Sequence, residues 1–339
     1  MAEEPVEPPA DDRSEGYRIL RAKCWTVAYN TPIAPATRRL IASVPGDVFH
    51  LHFPPPLTSY FAVRGLGRRD VPRCLTYHCD LYLEGAVGSL LTGLYSALFL
   101  PPTLDRVDRI IAHTRSYANT SRALRGRPLE IVPSAVDIRR FRPDLDGSAV
   151  RARLGLSDQR VIAFTGRLVP HKGVDVILRA LRDLPSDVSL LLVGHGPRLA
   201  DLQSLARRLG VEGRVRFCTS VSDDELPLYL RAADLFVFPS QNRLEGFGLV
   251  VAEAMASGLP VIIADMPGVR EVIEPGREGL LVEPLIARDL VSKILELLDD
   301  PARRRAMGAA ARTRAEERYS LEIVARQLLT VYAGLRAAG

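Results

Sequence analysis

Long apolar runs are absent from this sequence. No stretch reaches 18 consecutive apolar residues, so no helix is expected to span a membrane. Cysteine is scarce and scattered: Cys24, Cys74, Cys79 and Cys218 form no C-x-x-C pair and no zinc spacing. That excludes a disulfide scaffold and reads as a reduced, cytosolic protein that uses thiols as small core residues. The opening MAEEPVEPPADDRSEG lacks the basic start and apolar stretch of a secretory signal. It is acidic and Pro-rich, and residues 1–16 are expected to be a disordered tail. Repeats and other low-complexity tracts are missing too. The rest is ordinary for a globular protein, with 339 residues, 47% apolar and 25% charged. Such a length predicts about two domains.

The net charge of +5 is unevenly spread. Residues 17–150 carry 18 Lys/Arg against 10 Asp/Glu, whereas residues 151–339 carry 26 against 24. The excess sits in Arg38, Arg39, Arg64, Arg68, Arg69, Arg73, Arg122, Arg125 and Arg127. It fits a solvated Arg-rich surface, or attraction to an anionic membrane surface or a phosphorylated substrate. Nucleic acid is disfavoured, because no aromatic interleaving or binding motif accompanies the charge.

Short apolar runs at 48–51, 74–77 and 109–112 read as buried parallel strands. Residues 86–100, AVGSLLTGLYSALFL, have helix length and end at Pro101-Pro102. They fit a core helix or a surface that meets lipid, and the core is the reading preferred. Pro143–Ser148 reads as a linker. Beyond it strands are expected at 161–165, 188–193, 214–218, 235–238, 260–263 and 280–282. Helices are expected at 173–184, 197–209, 223–233, 247–257, 287–299 and 301–317, with a last one near 320–335. This alternation predicts a doubly wound parallel α/β sheet.

The strongest chemical signal is Glu245-Gly246-Phe247-Gly248-Leu249-Val250-Val251-Ala252-Glu253, after the strand LFVF and leading into a helix. Glycines let backbone approach a ligand, and the opening amides of a helix suit phosphate or sugar oxygens. Two acids eight apart also fit a solvated helix face. Glu253, however, lies within VVAEAMA, and a buried carboxylate needs a partner. The second signal is Gly166-Arg167-Leu168-Val169-Pro170-His171-Lys172-Gly173 after VIAFT. It puts two cations at a strand's carboxyl end, where they could neutralise a leaving diphosphate. A third turn, Gly194-His195-Gly196-Pro197, has Leu199 where a dinucleotide fingerprint needs its last glycine, which rejects a nicotinamide site.

Together GRLVPHKG, VGHGP, FPSQNRLEGFGLVVAEAMASGLPVI and PGVREVI resemble a family 4 glycosyltransferase of the GT-B fold. The resemblance is firm over 108–335 and looser over 17–107. It implies two Rossmann-like doubly wound domains facing a cleft. On this reading 17–145 form an acceptor-side domain joined by the helix 320–339, and 146–319 form the nucleotide-sugar domain. It implies that Arg167 and Lys172 bind the donor diphosphate, Glu245 meets sugar hydroxyls, and Gly246, Phe247, Gly248 and Leu249 line the donor with backbone amides. Glu253 would hold the ribose. His78, within LTYHCD, would be the first domain's active-site residue. The segment IVPSAVD has Ala135 where glycine is common.

Members are retaining enzymes that move a sugar from a nucleotide donor to a hydroxyl by front-face displacement. The resemblance therefore implies no metal or other cofactor. Asp144-Leu145-Asp146 spells the D-x-D of metal-dependent transferases but reads here as a turn. The segment FHLHFPPP resembles polysaccharide-assembly members, which leans toward mannose or another hexose on a glycan or lipid-linked acceptor. The family's first strand and Gly-rich loop are not recognisable before Gly16, so an incomplete first domain is expected. The competing expectation is a catalytically impaired nucleotide-sugar-binding remnant acting through protein contacts. An epimerase of the same fold would need an acid–base set that these residues do not supply.

Overall fold

The computed structural model describes residues 11–12, 17–28, 31–67, 69–83 and 85–338. The chain forms two compact units. The first comprises Met1–Ala112, Ser121–Glu130 and Thr330–Gly339, and the second His113–Thr120 and Ile131–Leu329. The segment 131–145, expected with the first domain, lies in the second unit. The expected tail falls outside the described residues except for Asp11 and Asp12.

In the first unit β1 (Asp11–Asp12) pairs with β2 (Ile19–Leu20), and β3 (Thr26–Ala28) with β4 (Thr31–Ile33), both antiparallel. A separate sheet has the order β5 (Phe49–Phe53), β6 (Arg73–Tyr77), β7 (Arg109–Ala112), β8 (Leu129–Ile131). Strands β5, β6 and β7 run parallel, so helical crossovers must join them. Phe49, Leu51 and Phe53 are buried on one face of β5, and the period of two turns His50 and His52 to the other. The crossover helix Pro56–Leu66 buries Ser59, Ala62, Val63 and Leu66, the spacing of one helical face.

The helix expected over 86–100 forms as Gly85–Leu98, but it is not a core helix. Gly88 is its one buried residue, while Val87, Leu90, Leu91, Leu94 and Leu98 are exposed. Apolar content fixes that a helix forms, not what covers it. Pro101-Pro102 opens a second short helix, Leu100–Leu104, because proline fits a helix's first turn.

The second unit holds six parallel strands: β9 (Arg160–Thr165), β10 (Val188–Val193), β11 (Val215–Cys218), β12 (Leu235–Phe238), β13 (Val261–Ala264) and β14 (Gly279–Val282). Their order is β11-β10-β9-β12-β13-β14. The chain thus builds outward from β9 in one direction, then restarts beside it with β12. That doubly wound order leaves a switch point between β9 and β12, where open α/β sheets bind ligands. Burial on both faces explains the unbroken apolar strands, since VSLLLV and LFVF are buried throughout. In the expected linker Gly147 alone is buried, and a Cβ on it would collide with Ala232 and Arg231. Asp146 accepts hydrogen bonds from the Ser148 amide and hydroxyl (2.9 and 2.7 Å), opening the helix Ser148–Leu154. Helix Leu321–Ala338 runs from the second unit into the first. Among the described residues no helix is long and apolar enough to cross a membrane.

Candidate active site

The two motifs singled out by sequence are the loops that follow β9 and β12, the strands on either side of the switch point. After β9 the chain turns through Gly166 and Arg167 into a short helical turn, Pro170–Lys172. Gly173 then enters the helix Val174–Asp183 with φ +73°, and a Cβ there would strike the carbonyl oxygen of Pro239 just past β12. Only glycine lets the two loops approach this closely. The Gln241 amide and the Ser240 hydroxyl donate to the His171 carbonyl (2.7 and 3.2 Å), and Gln241 Nε2 donates to Asp175 (3.0 Å). On the other side the Leu168 amide donates to the His195 carbonyl at 2.8 Å. There Gly194 approaches so near the Gly166 carbonyl that a side chain would not fit.

This stitching brings Lys172 onto Glu245. Lys172 Nζ lies 2.5 Å from Glu245 Oε1 and 4.8 Å from the Phe238 ring centroid, and His171 Nε2 lies 3.4 Å from the same oxygen. Both members of the ion pair are largely buried. Burial alone would push the Glu245 carboxyl up; the His171 hydrogen bond and the charge and hydrogen bond of Lys172 outweigh it and hold it below the usual range. Next to Glu245, the Gly246 carbonyl accepts from the Thr114 hydroxyl (3.2 Å). The Ser116 hydroxyl accepts from the Gly268 amide (3.1 Å), and the Glu271 carboxylate accepts from the Arg115 and Ser116 amides.

Phe247 is buried edge-on against Tyr319, with centroids 5.2 Å apart. Its side chain is therefore a packing anchor, and what it can offer a ligand is backbone. Gly248 takes φ +85° and starts the helix Leu249–Ala256, whose first amides have no carbonyl within the helix to bond. Leu249 is exposed at this end.

Glu253, on the same helix, belongs to a different charge cluster. Burial raises its carboxyl to about 7; the Arg140 charge lowers it and Asp223 raises it. Arg140 donates to the Asp223 carbonyl, and its buried Nε has no hydrogen-bond partner. Arg167 is exposed on the loop after β9. Direct contact in the structure thus joins Lys172 with Glu245, while Glu253 feels the charges of Arg140 and Asp223. Reading the sequence did not select His171, Phe238 or Arg140. The first lay inside the GRLVPHKG motif; the other two carry no signal before the chain folds.

In the first unit, His78 follows β6. Its amide donates to the Phe53 carbonyl (2.8 Å). Its Nε2 lies 2.9 Å from His52 Nδ1, and the rings are stacked with centroids 5.2 Å apart. His52 stacks in turn on His50 (4.6 Å), which is fixed by Tyr332 Oη at 2.6 Å and Thr76 Oγ1 at 2.7 Å. Burial, then the neighbouring His52, push His50 down to about 4; burial also lowers His52. The His52–His78 bond needs one nitrogen protonated and the other bare, so it couples the tautomers of the two rings.

Comparison with known proteins gives the family and the fold. Residues 148–314 match the family model of glycosyl transferases group 1, and residues 2–140 match that of glycosyltransferase family 4. The chain is 37% identical over 306 residues to a D-inositol 3-phosphate glycosyltransferase of Xylanimonas cellulosilytica, covering 85% of this chain and 72% of that one. It is 37% identical over 219 residues to a GDP-mannose-dependent alpha-(1-6)-phosphatidylinositol monomannoside mannosyltransferase of Mycolicibacterium smegmatis, covering 62% of this chain and 57% of the relative. The chain therefore spans little more than half the length of such mannosyltransferases. Among solved structures, sucrose-phosphate synthase from Thermosynechococcus elongatus superposes with a TM-score of 0.81 at 24% identity, covering 98% of this chain and 87% of that one. Anabaena HepE in complex with UDP and glucose superposes with a TM-score of 0.76 at 23% identity, covering 89% and 82%. These likenesses show the fold. Family models and relatives together place the chain among the glycosyl transferases group 1, the family 4 glycosyltransferases with the GT-B fold.

Proposed function

We propose that this chain is a retaining hexosyltransferase that moves a sugar, with mannose the favoured choice, from a nucleotide-sugar donor to a hydroxyl of a glycan or lipid-linked acceptor. The carrying observation is the Lys172–Glu245 pair beside a helix N-terminus at the β9/β12 switch point. A cation, open amides and a carboxylate within one pair of loops suit a diphosphate joined to a polyol. The relatives named for GDP-mannose and phosphatidylinositol mannoside support the sugar and the glycolipid acceptor.

In this reading Lys172 leaves Glu245 for the donor diphosphate, and Arg167 joins it there. Glu245 then turns to sugar hydroxyls, the amides of Gly246, Phe247, Gly248 and Leu249 meet donor oxygens, and Glu253 takes the ribose diol. As the bond from the anomeric carbon to the diphosphate breaks, the acceptor oxygen attacks from the same face. Its proton passes to a leaving diphosphate oxygen, which Arg167 and Lys172 neutralise. His78 is the first unit's candidate active-site residue. The reading assigns no role to a metal or other cofactor. Cytoplasmic placement at the inner face of the plasma membrane is proposed on the basic excess of residues 17–150.

Thermal-shift screening against GDP-, UDP- and ADP-sugars tests the donor site, because a ligand of the native state raises its stability. One class should stabilise the chain, and Lys172→Ala should abolish the shift. Release of nucleoside diphosphate with an acceptor present should follow. Binding without release would replace the enzyme by the impaired remnant; binding of none would remove the site.

A further inference from the structure

We propose that the first unit docks on an anionic lipid surface through one face of helix Gly85–Leu98 together with the hairpin that carries Trp25. This deepens the peripheral placement proposed above and rests on it, not on the transfer reaction. At 100° per residue, Val87, Leu90, Leu91, Leu94 and Leu98 fall within an arc of about 100°. All five are exposed, Leu90 by 71% and Leu94 by 50%. Single exposed leucines are ordinary, but a contiguous stripe on a helix with no charged residue is not.

The stripe does not stand alone. Thr31 and Ile33 of β4 line a small apolar cavity of about 160 Å³ with Leu83, Leu91 and Tyr95. The Trp25 amide donates to the Ile33 carbonyl (2.9 Å), so the hairpin lies beside the helix. Trp25 (72% exposed), Val27 and Tyr82 extend the bare apolar surface. Aromatic rings at the edge of an apolar face are what a membrane interface accommodates.

Charge selects lipid over other occupants. Residues 17–69 carry eight Lys/Arg against one acid, Asp47, and residues 85–104 carry no acid. Arg64 lies over the Tyr60 ring (4.7 Å), and Tyr60 meets Phe99 edge-on (5.1 Å), which sets a cation at the end of the helix. Exposed Arg38 and Arg39 lie on helix Thr37–Ser43, which approaches helix Pro56–Leu66 at Gly65. An anionic headgroup layer complements this rim.

Trp25 is the sole tryptophan, so its fluorescence reads this surface alone. The full chain is titrated with phosphatidylcholine vesicles with and without phosphatidylglycerol. Expected are a blue shift with the anionic vesicles, quenching by brominated acyl chains, and residual binding at high salt. Leu90→Asp/Leu94→Asp should weaken partitioning at least tenfold with circular dichroism unchanged, and Arg38→Gln/Arg39→Gln/Arg64→Gln should abolish the preference for phosphatidylglycerol. No blue shift, or wild-type binding by the double-Asp variant, overturns the proposal. So does a solution dimer that the double-Asp variant converts to monomer. Nucleotide-sugar binding, measured in parallel, fails separately: its loss would sink the donor site and leave the docking surface standing.

Discussion

Lys172 and Glu245 illustrate how a pair of side chains can be both a structural unit and a binding site. Each keeps the other's charge tolerable in a largely buried place. Removing one partner of a buried pair leaves the other uncompensated, at a cost of about 3–5 kcal/mol. Lys172→Ala and Glu245→Ala should each lose stability of that order in urea unfolding, and the double variant should lose less than their sum. Glu253 offers a pH test. Its carboxyl titrates near 7 in the folded chain and near 4.3 unfolded, so the native state holds the extra proton between those values. Stability contributed by this group is full below about 4.3 and is lost as pH rises to about 7, by roughly 4 kcal/mol at about 1.4 kcal/mol per pKa unit. Melting curves of Glu253→Gln should lack that slope and lie above the wild type at pH 8.

At the scale of elements, loops and strand faces set what each residue can do. Gly173 joins the two site loops because its backbone is left-handed and Pro239 leaves no room for a Cβ. Gly173→Ala should cost at least about 1–3 kcal/mol in strain and weaken nucleotide binding, read by calorimetry at a temperature where the fold persists. The alternation of β5 and β6 places His50, His52, Thr76 and His78 on one face. The first of these gives a pH slope of opposite sign. A His50 lowered to about 4 keeps the fold stable above about 6.5, and that stability is lost as pH falls from 6.5 toward 4. His50→Gln should remove this contribution from urea-unfolding midpoints and leave the opposite Glu253 slope uncompensated over the same window, so the midpoints fall more steeply with rising pH than in the wild type. Helix Gly85–Leu98 shows the limit of reading elements from sequence. Its length and charge-free composition were legible; its exposure was not, because burial depends on neighbours distant in the chain.

For the molecule as a whole, the two units differ in how completely their sheets are covered. The second unit's strands β9, β10, β12 and β13 are almost wholly buried, whereas the first unit leaves an apolar helix open. Native-state hydrogen exchange should therefore be faster over residues 17–112 than over those four strands. A bound nucleoside diphosphate should slow exchange at 166–173 and 239–250 and, at one hundred times its Kd, add about 2.7 kcal/mol of stability. The apolar strands, the alternation with helices and the two motifs at strand ends were all readable in advance, because period and glycine placement are local properties of the chain. Contact between Lys172 and Glu245, the approach of Arg140's charge to Glu253 and the pairing of His52 with His78 were not. Each depends on which strands become neighbours, and strand order is settled by packing among segments up to more than a hundred residues apart.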